Sequence, residues 1–236
     1  MNPVNINGVN IYPFKSTEEL LDFTDGQKII LVAMNAGKVD RSSKVVKDIV
    51  NRNIGYCDGI GALLAVRKKG YKDAVKILGC ELWLDIIERY YEKKSFYLIG
   101  AKQNVIEQVI AKLNLEFPGI NIAGYRNGFI TTTEDENHLV ADIVNKQPDV
   151  VFVAMGSPKQ ELLMSKLFSN HNALYQGLGG SFDVYSGVVK DMPEWTIKYH
   201  VNGIYRVVNR FWKKNILKRF FLDLWYMIKL EIGLIK

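Results

Sequence analysis

Several residue types and motifs that mark common protein classes are scarce or missing in this chain. Of its 236 residues only two are cysteine and six are proline. Cys57 and Cys80 stand in segments that read as interior, and there is no C-x-x-C pair. Buried thiols are therefore expected, not a disulfide framework or a cysteine metal site. The few prolines, with no low-complexity stretch and no convincing repeat, exclude a long disordered region and a solenoid. The opening MNPVNINGVNIYPF lacks a basic start followed by an apolar core, so no secretory signal is read and a reducing cytoplasm is the expected setting. No G-x-G-x-x-G occurs, which disfavours a dinucleotide-dependent oxidoreductase or a methyltransferase. No D-x-D occurs either; the nearest approximation, Glu134-x-Glu136, sits in a polar helix start.

What is present is a 48% hydrophobic chain, long enough to bury a sizeable core in one large domain or two closely packed lobes. Its net charge of +6 is unevenly placed. Residues 195–236 hold nine Lys and Arg against Asp223 and Glu231, a net of +7, so residues 1–194 carry −1. The aromatics Trp212, Phe220, Phe221, Trp225 and Tyr226 interleave with those basic residues, and Asp223, Lys229 and Glu231 interrupt any run long enough to span a bilayer. This is the pattern of an interfacial amphipathic helix, with a core-packing terminal helix and a nucleic-acid patch as the other readings. Leu222, Leu224, Ile228, Leu230, Ile232, Leu234 and Ile235 are too apolar for a helix that tracks phosphates, so an anionic membrane surface is the favoured partner and nucleic acid is not. The expected division is a catalytic α/β domain over 1–194 and a membrane-associating appendage over 195–236.

Apolar β-branched runs alternate with longer amphipathic stretches, the signature of βαβ units and a mostly parallel sheet. Strands are expected at Lys28–Ala33, Ile54–Cys57, Ser95–Ile99, Ile120–Ala123, Val150–Met155 and Ala173–Gly177. Helices are expected at Ser42–Asn51, Ile60–Lys69, Cys80–Glu92, Asn104–Glu116, Glu134–Lys146 and Pro158–Phe168. In such sheets ligands collect at the carboxyl ends of the strands, so the turns there are where chemistry belongs.

Four of those turns carry candidates. In Gly156-Ser157-Pro158-Lys159-Gln160-Glu161 glycine frees the turn, Pro158 suits the first helical position, and the unpaired N–H groups form an anion site beside Lys159 and Gln160, unless Lys159 simply points to solvent from a well-capped helix. GLGGSFDVYSG places Gly179 and Gly180 beside Phe182 and Asp183, either for close backbone approach to a flat or phosphorylated ligand or as a plain tight turn. Asp58, before Gly59 and Gly61, is either a helix N-cap or a carboxylate that partial desolvation suits to general-base work. Gly100-Ala101-Lys102 follows a further strand. Lys76, in VKILGCEL, offers a cation to a diphosphate leaving group or is a surface lysine. Without D-x-D, no metal or other cofactor is expected, and Lys or Arg side chains with helix N-termini must neutralise a diphosphate.

Together the stretches MNAGKV, DGIGALLA, the segment around Ile77-Leu78-Gly79, FYLIGAKQNVIEQ with FPGINIAGYRNGF, VFVAMGSPKQE, LGGSFDVYSG and MPEW…GIYRVVNR resemble the WecG/TagA/CpsF glycosyltransferase family from about Leu31 to Arg219. The resemblance implies an α/β, Rossmann-like parallel sheet with flanking helices (GT-E type) and a basic helical C-terminal appendage that contacts the membrane and helps complete the active site. It implies an inverting, metal-independent transferase that moves an N-acetylmannosamine-type sugar, or a relative, from a UDP-sugar to a sugar on an undecaprenyl diphosphate lipid, for surface polysaccharide or teichoic acid synthesis. Such an enzyme works at the inner face of the cell membrane. The alternative is a non-catalytic nucleotide-sugar-binding scaffold or sensor; the oligomeric state stays open, a homo-oligomer included.

Carried over by position, the resemblance makes Asp58 the general base, puts Gln160 near the sugar and diphosphate, and makes Asn35 the asparagine of the first strand-end motif. Arg206 and Arg210 join Lys76 as cations for the leaving UDP. Two departures stand out. Ala33 replaces a frequent threonine at a donor-sugar contact, and Lys76 replaces a frequent arginine, which keeps charge but loses the bidentate fork.

Overall fold

A computed structural model describes residues 1–188 together with Trp225, Tyr226, Lys229 and Leu230. Six strands form one sheet: β3 (Ile30–Met34), β4 (Ile54–Cys57), β5 (Ser95–Gly100), β6 (Asn121–Arg126), β7 (Val150–Ala154) and β8 (Leu174–Gly177). Their spatial order is β4-β3-β8-β7-β5-β6 and every pairing is parallel. All six carboxyl ends therefore lie along one edge of the sheet, as the βαβ pattern requires.

Both faces of the sheet are covered. In β7 every side chain is buried, and the pleat sends Val151 and Val153 to one face and Val150 and Phe152 to the other. The first face is packed by α3 (Lys44–Asn51), α4 (Ile60–Lys68), α7 (Thr133–Lys146) and α8 (Lys159–Phe168), which contribute Val46, Val50, Ala62, Val66, Ile143 and Met164. The second is packed by α1 (Thr17–Thr24), α5 (Gly79–Tyr90), α6 (Gln103–Glu116) and the short α9 (Ser181–Tyr185). There Trp83 meets Phe152, Phe182 and Tyr185 edge-on, with ring centroids 5.7, 5.6 and 5.0 Å apart. Each large side chain so buried contributes about 1.5–3 kcal/mol relative to exposure, which is why near-continuous apolar runs form the strands.

The expected elements are all found, with ends shifted by a few residues; the largest shift extends β6 to Arg126 where Ala123 was expected. Four further features stand outside the expected set: an N-terminal hairpin, α1 and two short helices. The hairpin of β1 (Val4–Ile6) and β2 (Val9–Ile11) turns at Asn7-Gly8, both at positive φ (53° and 78°), the geometry that selects Asn-Gly in a two-residue hairpin. Helix α2 (Ala36–Arg41) is six residues long, and α9 occupies what read as a glycine-rich loop. Neither cysteine forms a disulfide; Cys57 is buried, which pushes its thiol up to about 12, while Cys80 is half-buried, not sealed.

Gly100, which closes β5, has φ +140° and sits where an added Cβ would lie 2.3 Å from the carbonyl oxygen of Ala154 on β7. That backbone contact is enough to explain the glycine. Gly100→Ala is expected to lower unfolding stability by about 3 kcal/mol through strain and overlap, read from the denaturant midpoint with an unchanged m-value.

No helix among the described residues is long and apolar enough to cross a membrane.

Candidate active site

The turns after β3 and β4 are knitted together by backbone. The N–H groups of Asp58 and Gly59 both donate to the Met34 carbonyl, at 2.9 and 3.3 Å, and a Cβ on Gly59 would come within 2.9 Å of Asn35 Cβ. Asn35 caps α2 with its own side chain, Oδ1 accepting from Lys38 N–H at 3.0 Å, while the exposed residue keeps Nδ2 without a partner among the described residues. The glycine and the asparagine are thus a matched pair that brings α4 and α2 into contact.

Asp58 is not the N-cap of α4; Gly59 is. Its Oδ1 instead accepts the N–H of Gly79, the first residue of α5, at 2.8 Å, and Oδ2 has no partner among the described residues. The carboxylate is half-buried at the carboxyl edge, neither sealed in the core nor on another face. Beneath it runs a buried polar chain: Gln176 Nε2, on β8, donates to both the Tyr56 hydroxyl and the Gly79 carbonyl, each at 3.2 Å. A Cβ on Gly79 would meet the Tyr56 hydroxyl at 2.9 Å, so glycine is what lets α5 present its first N–H to Asp58. Burial, with the Asp58 charge nearby, drives the Tyr56 hydroxyl far above the ordinary phenol range and keeps it neutral.

On the other side of β3, Gln160 organises two turns at once. Its buried Oε1 accepts from Gly156 N–H at 3.1 Å and from Gly179 N–H at 2.9 Å, and both glycines hold positive φ. A Cβ on Gly177 would strike Gln160 Nε2 at 2.5 Å. Two N–H groups expected to face an anion are therefore spent on Gln160; those of Ser157 and Gly180, on exposed residues, have no partner among the described residues. Pro158, expected at the first helical position, is instead the N-cap of α8, and Lys159 is exposed.

Not every expected residue joins the cleft. Phe182 is fully buried against Trp83, so the expected ligand contact is corrected to a core side chain: its ring fills the space between α9 and α5. Asp183 is half-buried in the first turn of α9, with its carboxylate 3.9 Å from where a Gly180 Cβ would stand. Lys76 is half-exposed between Val75 and Ile77, whose N–H groups pair with Phe14 and Cys57 carbonyls, and it makes no ion pair among the described residues. Arg206 and Arg210 lie outside the described residues. A groove of 570 Å³ along β6 and α6, lined by Ile110, Ile122, Tyr125 and Lys146, is at the far margin of the sheet and holds none of the expected site residues.

Two residues not singled out from sequence stand at the centre. Lys38 Nζ on α2 pairs with Glu161 Oε1 on α8 at 2.7 Å, and Gln160 Nε2 donates to the same oxygen at 3.3 Å. Both sit inside motifs already noted, MNAGKV and GSPKQE, but nothing in a single sequence reveals that positions 123 apart touch.

The carboxyl-edge cleft can be set beside known proteins. Residues 4–232 match the model of the glycosyl transferase WecG/TagA/CpsF family. The chain belongs to this family. Among curated relatives, an N-acetylglucosaminyldiphosphoundecaprenol N-acetyl-beta-D-mannosaminyltransferase of Bacillus subtilis is 36% identical over 162 residues, 66% of this chain and 60% of the relative. One with the same printed name from Bacillus spizizenii is 37% identical over 155 residues, 64% of this chain and 58% of the relative. These matches therefore span about three-fifths of each relative's length.

Proposed function

We propose that this chain is an inverting glycosyltransferase that moves an N-acetylmannosamine-type sugar from a UDP carrier to a sugar on a polyprenyl diphosphate lipid, in the synthesis of a surface polysaccharide or teichoic acid. The observation that carries the reading is Asp58: a half-buried carboxylate at the carboxyl edge, one oxygen fixed by Gly79 N–H and the other without a partner among the described residues. Names of the Bacillus relatives support the sugar and the lipid diphosphate acceptor.

Asp58 and the Gly156 turn stand at strands β4 and β7, three places apart in the sheet. At about 4.8 Å per strand this is roughly 14 Å, suited to an extended nucleotide sugar and too long for a single ring. The diphosphate lies toward the Gly156 and Gly179 turns and the anomeric carbon toward Asp58. In a single displacement Asp58 takes the proton from the acceptor hydroxyl as that oxygen bonds to the anomeric carbon. The bond from that carbon to the β-phosphate oxygen breaks, and UDP leaves with the electron pair from the opposite face. Lys76, the Gly156–Gln160 turn and the tail cations Arg206 and Arg210 stabilise the departing charge. Residues 195–236 hold the enzyme on the anionic inner face of the membrane, and no metal takes part.

The test is UDP release from a panel of UDP-sugars with a short-chain lipid diphosphate acceptor carrying N-acetylglucosamine. Release that needs both substrates and is unchanged by excess EDTA is expected. UDP binding without release would leave a nucleotide-sugar sensor; loss in EDTA restored by a divalent ion would overturn metal independence.

A further inference from the structure

We propose that Lys38 is the cation that meets the donor's diphosphate at the ends of β3 and β8, and that Glu161 is the positioning residue that holds it there; the inference rests on the sugar-transfer reading. Lys38 stands one turn beyond β3, Glu161 one turn beyond the Gly156 loop, and their bond crosses over the end of β8, the strand between β3 and β7. The Lys38 side chain is 13% exposed and that of Glu161 is 0% exposed. Taking both ions out of water costs several kcal/mol per ion, and the attraction between them repays this only when every remaining lone pair is satisfied. Here it is not: Glu161 Oε2 is buried with no hydrogen-bond partner among the described residues. Stability is therefore a poor explanation for the pair, and placement of the ammonium is a better one.

The placement is rigid. Glu161 Oε1 also takes Gln160 Nε2, and Gln160 Oε1 takes the N–H groups of Gly156 and Gly179. One hydrogen-bonded chain thus fixes Lys38 relative to both turns that flank the diphosphate end of the cleft. An ammonium has three donors; Glu161 accepts one, and no other described residue accepts the rest. Two N–H groups are left for phosphate oxygens, a compact point charge suiting a ligand whose charge is spread over several oxygens. Lys159 is exposed and has no partner among the described residues, so it lacks this preparation.

Either single substitution leaves one buried charge without its partner, so the decisive variant is Lys38→Met with Glu161→Leu in the full-length protein. Replacing a buried ion pair with apolar side chains of similar volume is often neutral for stability. The melting temperature is expected to stay near that of the wild type, while calorimetric titration shows UDP bound about tenfold to a hundredfold more weakly and uridine bound as before. A folded double variant that binds UDP as tightly as the wild type overturns the proposal and leaves a structural pair. Should that variant fail to fold, Lys38→Gln with Glu161→Gln, neutral and still able to hydrogen bond across the same gap, is judged by the same two results. Wild-type protein that binds no UDP sinks the sugar-transfer reading itself, and this inference with it.

Discussion

Asp58→Asn is expected to lower kcat by roughly a hundredfold or more, while UDP affinity and melting temperature stay close to wild type. General-base catalysis commonly contributes about a hundred- to ten-thousandfold, and a base that acts only on the acceptor hydroxyl has little to do with donor binding. The substitution is chosen for what it preserves. An asparagine Oδ1 still accepts the Gly79 N–H that Asp58 accepts at 2.8 Å, so the start of α5 and the Gln176–Tyr56 chain beneath it stay in place. Only the second oxygen, the one without a described partner, changes from a proton acceptor into a donor. Asp58→Ala removes both functions and adds a loss of local order near α5. A variant carrying asparagine that turns over at the wild-type rate would reduce Asp58 to a tether for α5; a loss confined to Asp58→Ala would say the same.

How much of this was legible beforehand depends on whether the signal was local. The strands of the sheet were readable because parallel strands covered on both faces become unbroken apolar runs such as VVFVA. The Asn-Gly hairpin was equally written in VNINGVNI, where valine and isoleucine alternate with asparagine about a two-residue turn, yet its strands, only three residues each, are too short to stand out as apolar runs. Phe182 shows the opposite failure. Four glycines within GLGGSFDVYSG suggest open backbone, but they flank a short helix whose aromatic is driven against Trp83 by the apolar area it buries. Gln160 was singled out as a ligand contact, and its motif does mark the site; which atoms its amide would hold depended on β8 lying beside β7, a pairing no local pattern announces. The Lys38–Glu161 pair is hidden for the same reason. Each residue reads as an ordinary helix surface charge until the sheet order brings β3 and β7 within one strand of each other.

The tail calls for a test that separates its charge from its packing, because three of the four described residues there, Tyr226, Lys229 and Leu230, are held against the α/β domain. Tyr226 is fully buried, close enough to Gly61 on α4 that a Cβ there would stand 3.3 Å from its ring. Leu230 is buried too, its carbonyl accepting from Lys68 Nζ at 2.5 Å, and Lys229 Nζ pairs with Asp40 on α2 at 3.0 Å. Cutting the chain after Trp195 therefore removes a core aromatic along with the basic residues, and lost activity would have two explanations. Neutralising Arg206, Arg210, Lys213, Lys214, Lys218 and Arg219 to glutamine removes six charges and leaves Tyr226, Lys229 and Leu230 untouched. At about 1 kcal/mol for each basic residue near an anionic leaflet, the change amounts to several kcal/mol, enough to abolish sedimentation with anionic vesicles at moderate salt. Thermal stability should stay near wild type in that variant. Tyr226→Ala should behave in reverse, costing about 3 kcal/mol of stability for the vacated space while vesicle binding of the folded protein persists. If the six-charge variant still sediments with anionic vesicles, the basic tail is not what holds this protein to a membrane.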